Sequence, residues 1–431
     1  MEKKKVYLVM TSEIIHHAHI SVIEKAAELG ELTIGVYSNK VLFQLNRTPV
    51  MSEEHRLAVF AGLKGVKNVV LQEERDYEKK LRELKPDYVV HGDNWKKSNL
   101  KKIRENVIKV LSEWGGELYE IPYTYDVEMD KLVNTLNKQA YLPEVRRRKL
   151  NYLINNKDVV RIMEAHNGLT GLIVERAFAE RDGEPRQFDG MWISSLCDST
   201  AKGKPDIELV DHSSRLSTIQ EIQDVTTKPI ILDGDSGGLI EHFVHNIATI
   251  ERNGVSAIII EDKIGLKQNS LFEEAQQQQD TIEAFCNKIA AGKRVLTSKD
   301  FRIIARIESL ILKQGMDDAL TRAREYIAAG VDGIMIHSNQ KTPDEVLEFC
   351  DSYSAFASVP LVVVPTTYNT ITEDELIKRG VKVVIYANHL LRSAFPAMMK
   401  TAETILANGR SYEAEPMCMP IKEILNLIPS Q

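Results

Sequence analysis

Apolar and polar residues alternate in two regimes along the chain. Up to about Val127 the runs are KVYLVM, then ISVIEKAAELG, then ELTIGVYS, followed by NVVLQ and KPDYVVHGD and a helix ending near EWGGELYEI. Strand, helix and strand in this order predict a small parallel α/β sheet, a Rossmann-like domain. From Asp130 to Asp158 the pattern turns charged and helical, as in LPEVRRRKLNYLINNKD, with no strand signal. That stretch predicts a helical connector whose Arg146, Arg147 and Arg148 form a solvated face.

The second regime is more regular. RIMEAH, GMWISS, PIILDGD, AIIIED, RIIARIES, GIMIHS, PLVVVPT and VKVVIYAN follow one another, mostly separated by amphipathic stretches such as MDDALTRAREYIAAG. About eight βα units over roughly 250 residues is the arithmetic of a (β/α)8, TIM-type barrel. A doubly wound open sheet is the alternative. The fold class expected is therefore α/β, with residues 1–129 a small Rossmann-like domain, 130–158 a connector and 159–431 the barrel.

Length and charge narrow this picture. At 431 residues and 48.8 kDa the chain exceeds one ordinary domain. A net charge of −7, without a Lys/Arg stripe, argues against binding to nucleic acid or a membrane surface. No run approaches the length of a membrane span. The opening MEKKKVYLVM is cut by Thr11, Ser12 and Glu13, so it makes a first strand rather than a signal peptide. Cys197, Cys286, Cys350 and Cys418 lack CxxC spacing, which indicates neither a zinc knuckle nor a disulfide framework. A cytoplasmic protein acting on a small molecule is expected.

The candidate chemistry sits at the ends of the later apolar runs. Their tails are Glu164 and His166; Ser194 and Ser195; Asp233 and Asp235; Glu261 and Asp262; Arg306 and Glu308; His337 and Ser338; Thr366; Asn388 and His389. In a parallel barrel all strand C-termini open on one face, where such folds keep their active sites. Asp233 and Asp235 flank Gly234, and period two along a strand puts both carboxylates on one side. With Glu261 they offer three oxygen donors without His or Cys, which suits a hard cation such as Mg²⁺ held partly through water. Pairing of these acids with Arg306 or a lysine is the other reading. Arg306 has the fork that clamps a carboxylate or phosphoryl group. In EDKIGLKQNSL, Lys267, Asn269 and Ser270 follow a strand directly; the plain reading is a solvated loop ending in a helix cap.

IMEAHNGL, DGDSGG, EDKIGLKQNSL, IIARIES, GIMIHS, VVVPTTY and ANHLLR, in this order from roughly Val159, together resemble the phosphoenolpyruvate mutase branch of the isocitrate lyase superfamily. The superfamily's lyases carry a catalytic cysteine in the loop after the ED strand, where this chain has KQNS. Phosphonopyruvate hydrolase is the nearer alternative, and Asn269 favours the mutase. The resemblance implies interconversion of phosphoenolpyruvate and phosphonopyruvate, with Asp233, Asp235 and Glu261 holding Mg²⁺ directly or through waters. Ser194 and the backbone N–H groups of Ser195 and Leu196 would receive the substrate carboxylate, and Trp192 would pack over the enolpyruvate unless it is ordinary core. Arg306 and His337 would hold the phosphoryl group. Asp206 would act as a nucleophile or orient a metaphosphate-like species. Lys267, Asn269 and Ser270 would form a lid that keeps water out. The family associates by exchanging its last helix, which implies a homo-oligomer, a dimer or tetramer.

The N-terminal region has HHAH, His16 to His19, after its first strand and opening a helix, a place that suits nucleotide phosphates. With RTPVMSEEHR and KPDYVVHGDNW, it resembles the cytidylyltransferase-like nucleotidyltransferases. That implies His16 and His19 on the α-phosphate of CTP, and Arg47 and Asp93 near the nucleotide. Two departures stand out: Ala18 replaces the family's glycine, and YTYDVEMD lacks the glycine and serines of the later phosphate-binding segment. A working transferase that attaches CMP to a phosphonate and a degenerate nucleotide-binding or scaffolding domain both fit. A wholly non-catalytic scaffold is the remaining alternative, and the intact acid and arginine set counts against it.

Overall fold

The computed structural model describes residues 3–10, 15–44, 51–92, 101–122, 141–181, 184–265, 267–270 and 277–428. They form two compact units, one of residues 1–139, 155–157 and 178–187, the other of residues 140–154, 158–177 and 188–431.

In the first unit, β1 (Lys5–Met10), β2 (Glu31–Tyr37), β3 (Val66–Gln72), β4 (Tyr88–Gly92) and β5 (Glu117–Ile121) make a parallel sheet in the order β3-β2-β1-β4-β5. The pleat of β1 divides its side chains between two cores. Val6, Leu8 and Met10 pack with Ile23, Ala26 and Phe60 on one face, while Tyr7 and Val9 pack with Leu81 and Val107 on the other. A strand buried on both faces needs a continuous apolar run, and KVYLVM is one. The order of the strands reverses beside β1, whose carboxyl end leads into the helix His17–Leu29. Ligands of open α/β sheets bind at such a switch point.

The second unit is a closed barrel of eight parallel strands in the order β10-β11-β14-β15-β16-β17-β6-β9. They are β6 (Val160–Glu164), β9 (Gly190–Ile193), β10 (Ile230–Asp233), β11 (Ala257–Glu261), β14 (Arg302–Ile307), β15 (Gly333–Ile336), β16 (Leu361–Val363) and β17 (Val381–Tyr386). Closure is made by β17 against β6, from Val383↔Val160 to Tyr386↔Met163, which rules out the open sheet. Two short antiparallel hairpins are not legible as strands in the sequence: β7 (Phe178–Arg181) with β8 (Glu184–Gln187), which belongs to the first unit, and β12 (Lys263–Ile264) with β13 (Gln278–Gln279) in the second.

The arginine triplet is not a solvated face. In the helix Pro143–Asn156, Arg146 is 1% exposed, and its guanidinium donates to the Lys228 carbonyl at 2.6 Å and the Thr226 hydroxyl at 3.2 Å. Arg147 is also buried and donates to the Glu251 carbonyl. Consecutive residues on a helix are about 100° apart, so a triplet cannot stay on one face. The inward pair lays its aliphatic stems on the barrel and satisfies carbonyls at the loop ends. Among the described residues, no helix is long and apolar enough to cross a membrane.

Candidate active site

The strand ends do converge. A pocket at the carboxyl face of the barrel is lined by Trp192 of β9, by Ser194, Ser195 and Leu196 just beyond it, by Asp233 of β10, Glu261 of β11 and Arg306 of β14, and by His337 after β15. Asp206, from the stretch between β9 and β10, and Lys267, Asn269 and Ser270, from the loop after β12, complete it. Asp235 does not line the pocket. Glu164 and His166 serve elsewhere: Glu164 Oε2 accepts from the Leu390 and Leu391 N–H groups at 2.7 and 3.2 Å and caps the helix His389–Asn408, while Oε1 meets His166 Nδ1 at 2.8 Å. Asp262 is likewise committed, to Tyr326 at 2.8 Å, Gln279 at 2.9 Å and the Glu308 N–H at 2.9 Å.

The acids are held differently from one another. Asp233 Oδ2 accepts from the Ser195 N–H at 3.1 Å and the Ser195 hydroxyl at 2.9 Å. Burial raises its pKa, but Lys267, Arg306 and Arg215 more than offset this and hold it below the usual carboxylate range. The strand ends at Asp233, and Asp235 beyond it has a left-handed φ of 51°, so the period-two argument stops short of it. Gly234 is required between them, since a Cβ there would lie 2.7 Å from Ile258. Asp235 instead accepts from Arg215 Nη2 at 2.6 Å and from Lys267. Glu261 is fully enclosed, and burial pushes its carboxyl up to about 7 against the pull of Arg306. Its Oε1 lies 3.2 Å from Lys263 Nζ, and its Oε2 lies 3.4 Å from Arg306 Nη2 but accepts no hydrogen bond.

These features bear on a metal. Among the described residues, no three His, Cys, Asp or Glu groups form a cage for an ion. The orphaned Glu261 oxygen and the anionic Asp233, both on the pocket wall, nonetheless fit a hydrated divalent cation, since Mg²⁺ keeps several waters and needs only one or two carboxylates.

Lys267 and Asn269 close the pocket from the loop side. Lys267 Nζ donates to Asp206 Oδ1 at 2.8 Å, to Asp235 and to the Ser195 hydroxyl, and Asn269 Nδ2 donates to Asp206 Oδ2 at 2.8 Å. Burial lowers the lysine pKa, and Asp235, Asp233 and Asp206 outweigh it, so Lys267 stays charged. KQNS is thus folded into the site, not solvated.

Residues 150–406 match the family model described as phosphoenolpyruvate phosphomutase, and residues 11–134 match the cytidylyltransferase-like model. A phosphoenolpyruvate phosphomutase from Tetrahymena pyriformis is 34% identical, covering 69% of this chain and 95% of its own length. The chain belongs to the phosphoenolpyruvate phosphomutase family. Among solved structures, a phosphoenolpyruvate phosphomutase from Streptomyces platensis subsp. rosaceus matches at 36% identity with a TM-score of 0.61, covering 65% of this chain and 94% of that one. A phosphonopyruvate hydrolase in complex with oxalate and Mg²⁺ matches at 33% identity with a TM-score of 0.59, again over 65% and 94%.

In this member of the phosphomutase family, several residues of the site escape sequence reasoning. Arg215, on the helix His212–Gln223, donates to both the Asp233 carbonyl and the Asp235 carboxylate, and nothing in HSSRLSTIQEIQ marks it. Lys263 sits behind the pocket beside Glu308, a residue that the strand-end pattern does single out. The pairing of Arg306 with Glu308 two positions on is a usable signal, because both leave the strand on one side. In the N-terminal unit, His16 caps the helix His17–Leu29 and His19 lies against it, ring centroids 3.8 Å apart. Arg47, Asp93 and the segment YTYDVEMD lie outside the described residues.

Proposed function

We propose that this protein interconverts phosphoenolpyruvate and 3-phosphonopyruvate, the step that forms the C–P bond of phosphonates. The observation that carries this reading is the loop: Lys267 and Asn269 are drawn across the pocket onto Asp206, with no cysteine between Glu261 and Ser270. A C–C lyase of this superfamily needs a thiol there, and phosphoryl migration needs a dry, pre-aligned site.

The reaction breaks the P–O bond of phosphoenolpyruvate, leaving pyruvate enolate and a metaphosphate-like group, and forms a P–C bond at the enolate carbon. Ser194, with the Leu196 N–H, orients the substrate carboxylate under Trp192, whereas the Ser195 N–H is given to Asp233. Arg306 and His337 retain the migrating phosphoryl group. Burial and Arg306 depress the His337 pKa, so the ring is neutral. In the tautomer that accepts the Arg306 N–H at Nδ1, its Nε2 carries a proton for a phosphoryl oxygen. Asp206 orients the loose phosphoryl species rather than attacking it. Asp233 and Glu261 would hold Mg²⁺, in part through water, as the hydrolase complex with oxalate and Mg²⁺ supports, while Asp235, committed to Arg215 and Lys267, stands behind them. The ion would supply charge stabilisation at the enolate oxygens. Lys267, Asn269 and Ser270 exclude water.

The test is incubation with Mg²⁺ and phosphonopyruvate followed by ³¹P NMR. A phosphoenolpyruvate signal supports the mutase, free phosphate reassigns the protein as a hydrolase, and no change defeats both. For the N-terminal unit, the imidazole pair at the start of the helix His17–Leu29 supports nucleotide binding, with CTP the ligand to try. Pyrophosphate release from CTP and a phosphonate would show a working transferase. An exposed apolar face on the last long helix supports a homo-oligomer, and four free thiols support a cytoplasmic setting.

A further inference from the structure

Glu308 does not line the pocket, yet groups that do converge on it. Its side chain is fully buried. Oε1 accepts from Arg306 Nε at 2.5 Å and lies 3.0 Å from His337 Nδ1. Oε2 accepts from the Ser270 hydroxyl at 2.7 Å and lies 3.3 Å from Lys263 Nζ. One oxygen therefore faces the barrel's phosphoryl-side pair, and the other faces the loop. Ser270 closes the circuit by accepting from Arg306 Nη2 at 2.9 Å and from Lys263 Nζ at 2.7 Å.

We propose that Glu308 is a positioning residue that ties the alignment of Arg306 and His337 to closure of the loop carrying Ser270. The proposal rests on the mutase reading, in which that loop is a lid. A buried carboxylate with basic groups and one hydroxyl around it has little freedom once all are in place. Lifting Ser270 away removes the donor to Oε2 and an acceptor from Arg306 at once, so the guanidinium is left free to follow the carboxylate. The phosphoryl pocket is then complete only when water is shut out. Burial raises the Glu308 pKa, and Arg306, with Lys263 beside it, outweighs this and keeps the hub anionic, able to accept from both sides. The Asp262, Arg322 and Tyr326 cluster nearby is a contrast, because none of its members lines the pocket.

The test uses the full-length protein with Glu308→Gln, Ser270→Ala and the double variant. Each single change should lower kcat, by about 50-fold for Glu308→Gln, while inhibition by oxalate with Mg²⁺, which lacks a phosphoryl group, moves by less than about twofold. The double variant should be no worse than about twofold below the poorer single one, as for residues acting as a unit. Trypsin cleavage after Lys267 should be at least about fivefold faster in Glu308→Gln, measured without denaturant where both proteins are fully folded by circular dichroism. Multiplying losses, oxalate binding that falls in step with kcat, or unchanged cleavage would each overturn the proposal. If Glu308→Gln does not fold, Ser270→Ala alone decides by the same kcat and oxalate readings. A wild-type protein that makes no phosphoenolpyruvate sinks the mutase reading instead, and the cleavage rates still judge the link to the loop.

Discussion

Arg215 Nη2 donates to Asp235 Oδ2 at 2.6 Å, with both side chains under a tenth exposed, and thereby keeps Asp235 fixed behind the pocket wall. Removing the arginine leaves a buried carboxylate that depends on Lys267 for its neutralisation. Arg215→Ala is expected to lose stability near the low end of the roughly 3–5 kcal/mol typical of broken buried pairs. Urea unfolding measures it. A loss within about 0.5 kcal/mol, as for a surface change, would contradict the pairing.

Glu261 carries the opposite balance. Burial outweighs Lys263 at 3.2 Å and Arg306 at 3.4 Å, so its charged form costs stability in the free protein. Glu261→Gln should therefore leave the melting temperature unchanged or raise it, while the Mg²⁺ concentration for half-maximal turnover rises about tenfold or more. A variant that loses stability yet keeps its metal requirement would overturn the assignment.

Asp206 separates two chemistries. If it orients the migrating group through Lys267 and Asn269, Asp206→Asn keeps the shape and leaves turnover in the range of about 1–10% of wild type. A nucleophile replaced by an amide would leave none. The ³¹P assay distinguishes them directly.

Gly265, with φ 86° and no heavy atom within 4 Å of the place a Cβ would take, follows the base of the loop. Gly265→Ala meets no clash, and its penalty of about 1–2 kcal/mol is purely conformational. Tryptic cleavage after Lys267 should accelerate by more than the accompanying fall in global stability accounts for.

The thiols should differ sharply. Burial disfavours the charged thiolate and pushes Cys350 up to about 12, with Cys197 higher still. At about pH 8, iodoacetamide should label exposed Cys418 first and half-buried Cys286 next, and reach Cys197 and Cys350 only after unfolding. Mass spectrometry of the labelled peptides reads the order.

The barrel is legible in the sequence because its strands carry apolar runs with polar ends, a pattern that survives without knowledge of contacts. Trp192, Asp233, Glu261 and Arg306 are legible for the same reason, each at or near a strand end. Periodicity misplaces Asp235, since the strand stops at Asp233 and the left-handed turn after it leaves no trace in the pattern. It misplaces Arg146 and Arg147 too, because charge suggests solvent, whereas their partners are carbonyls that sequence does not display. Arg215 stays hidden altogether: its meaning depends on a neighbour twenty positions away.

The seam between β17 and β6 has a consequence for biosynthesis. Val160 waits for Val383 before the ring of strands can shut, and more than two hundred residues of chain must be made in between. An emerging polypeptide passes through a long interval in which β6 is an open sheet edge, the kind of surface that invites aggregation. Refolding from denaturant faces the same delay, because contacts so distant along the chain form slowly. The nascent barrel is thus a natural client for chaperones until its last strand arrives.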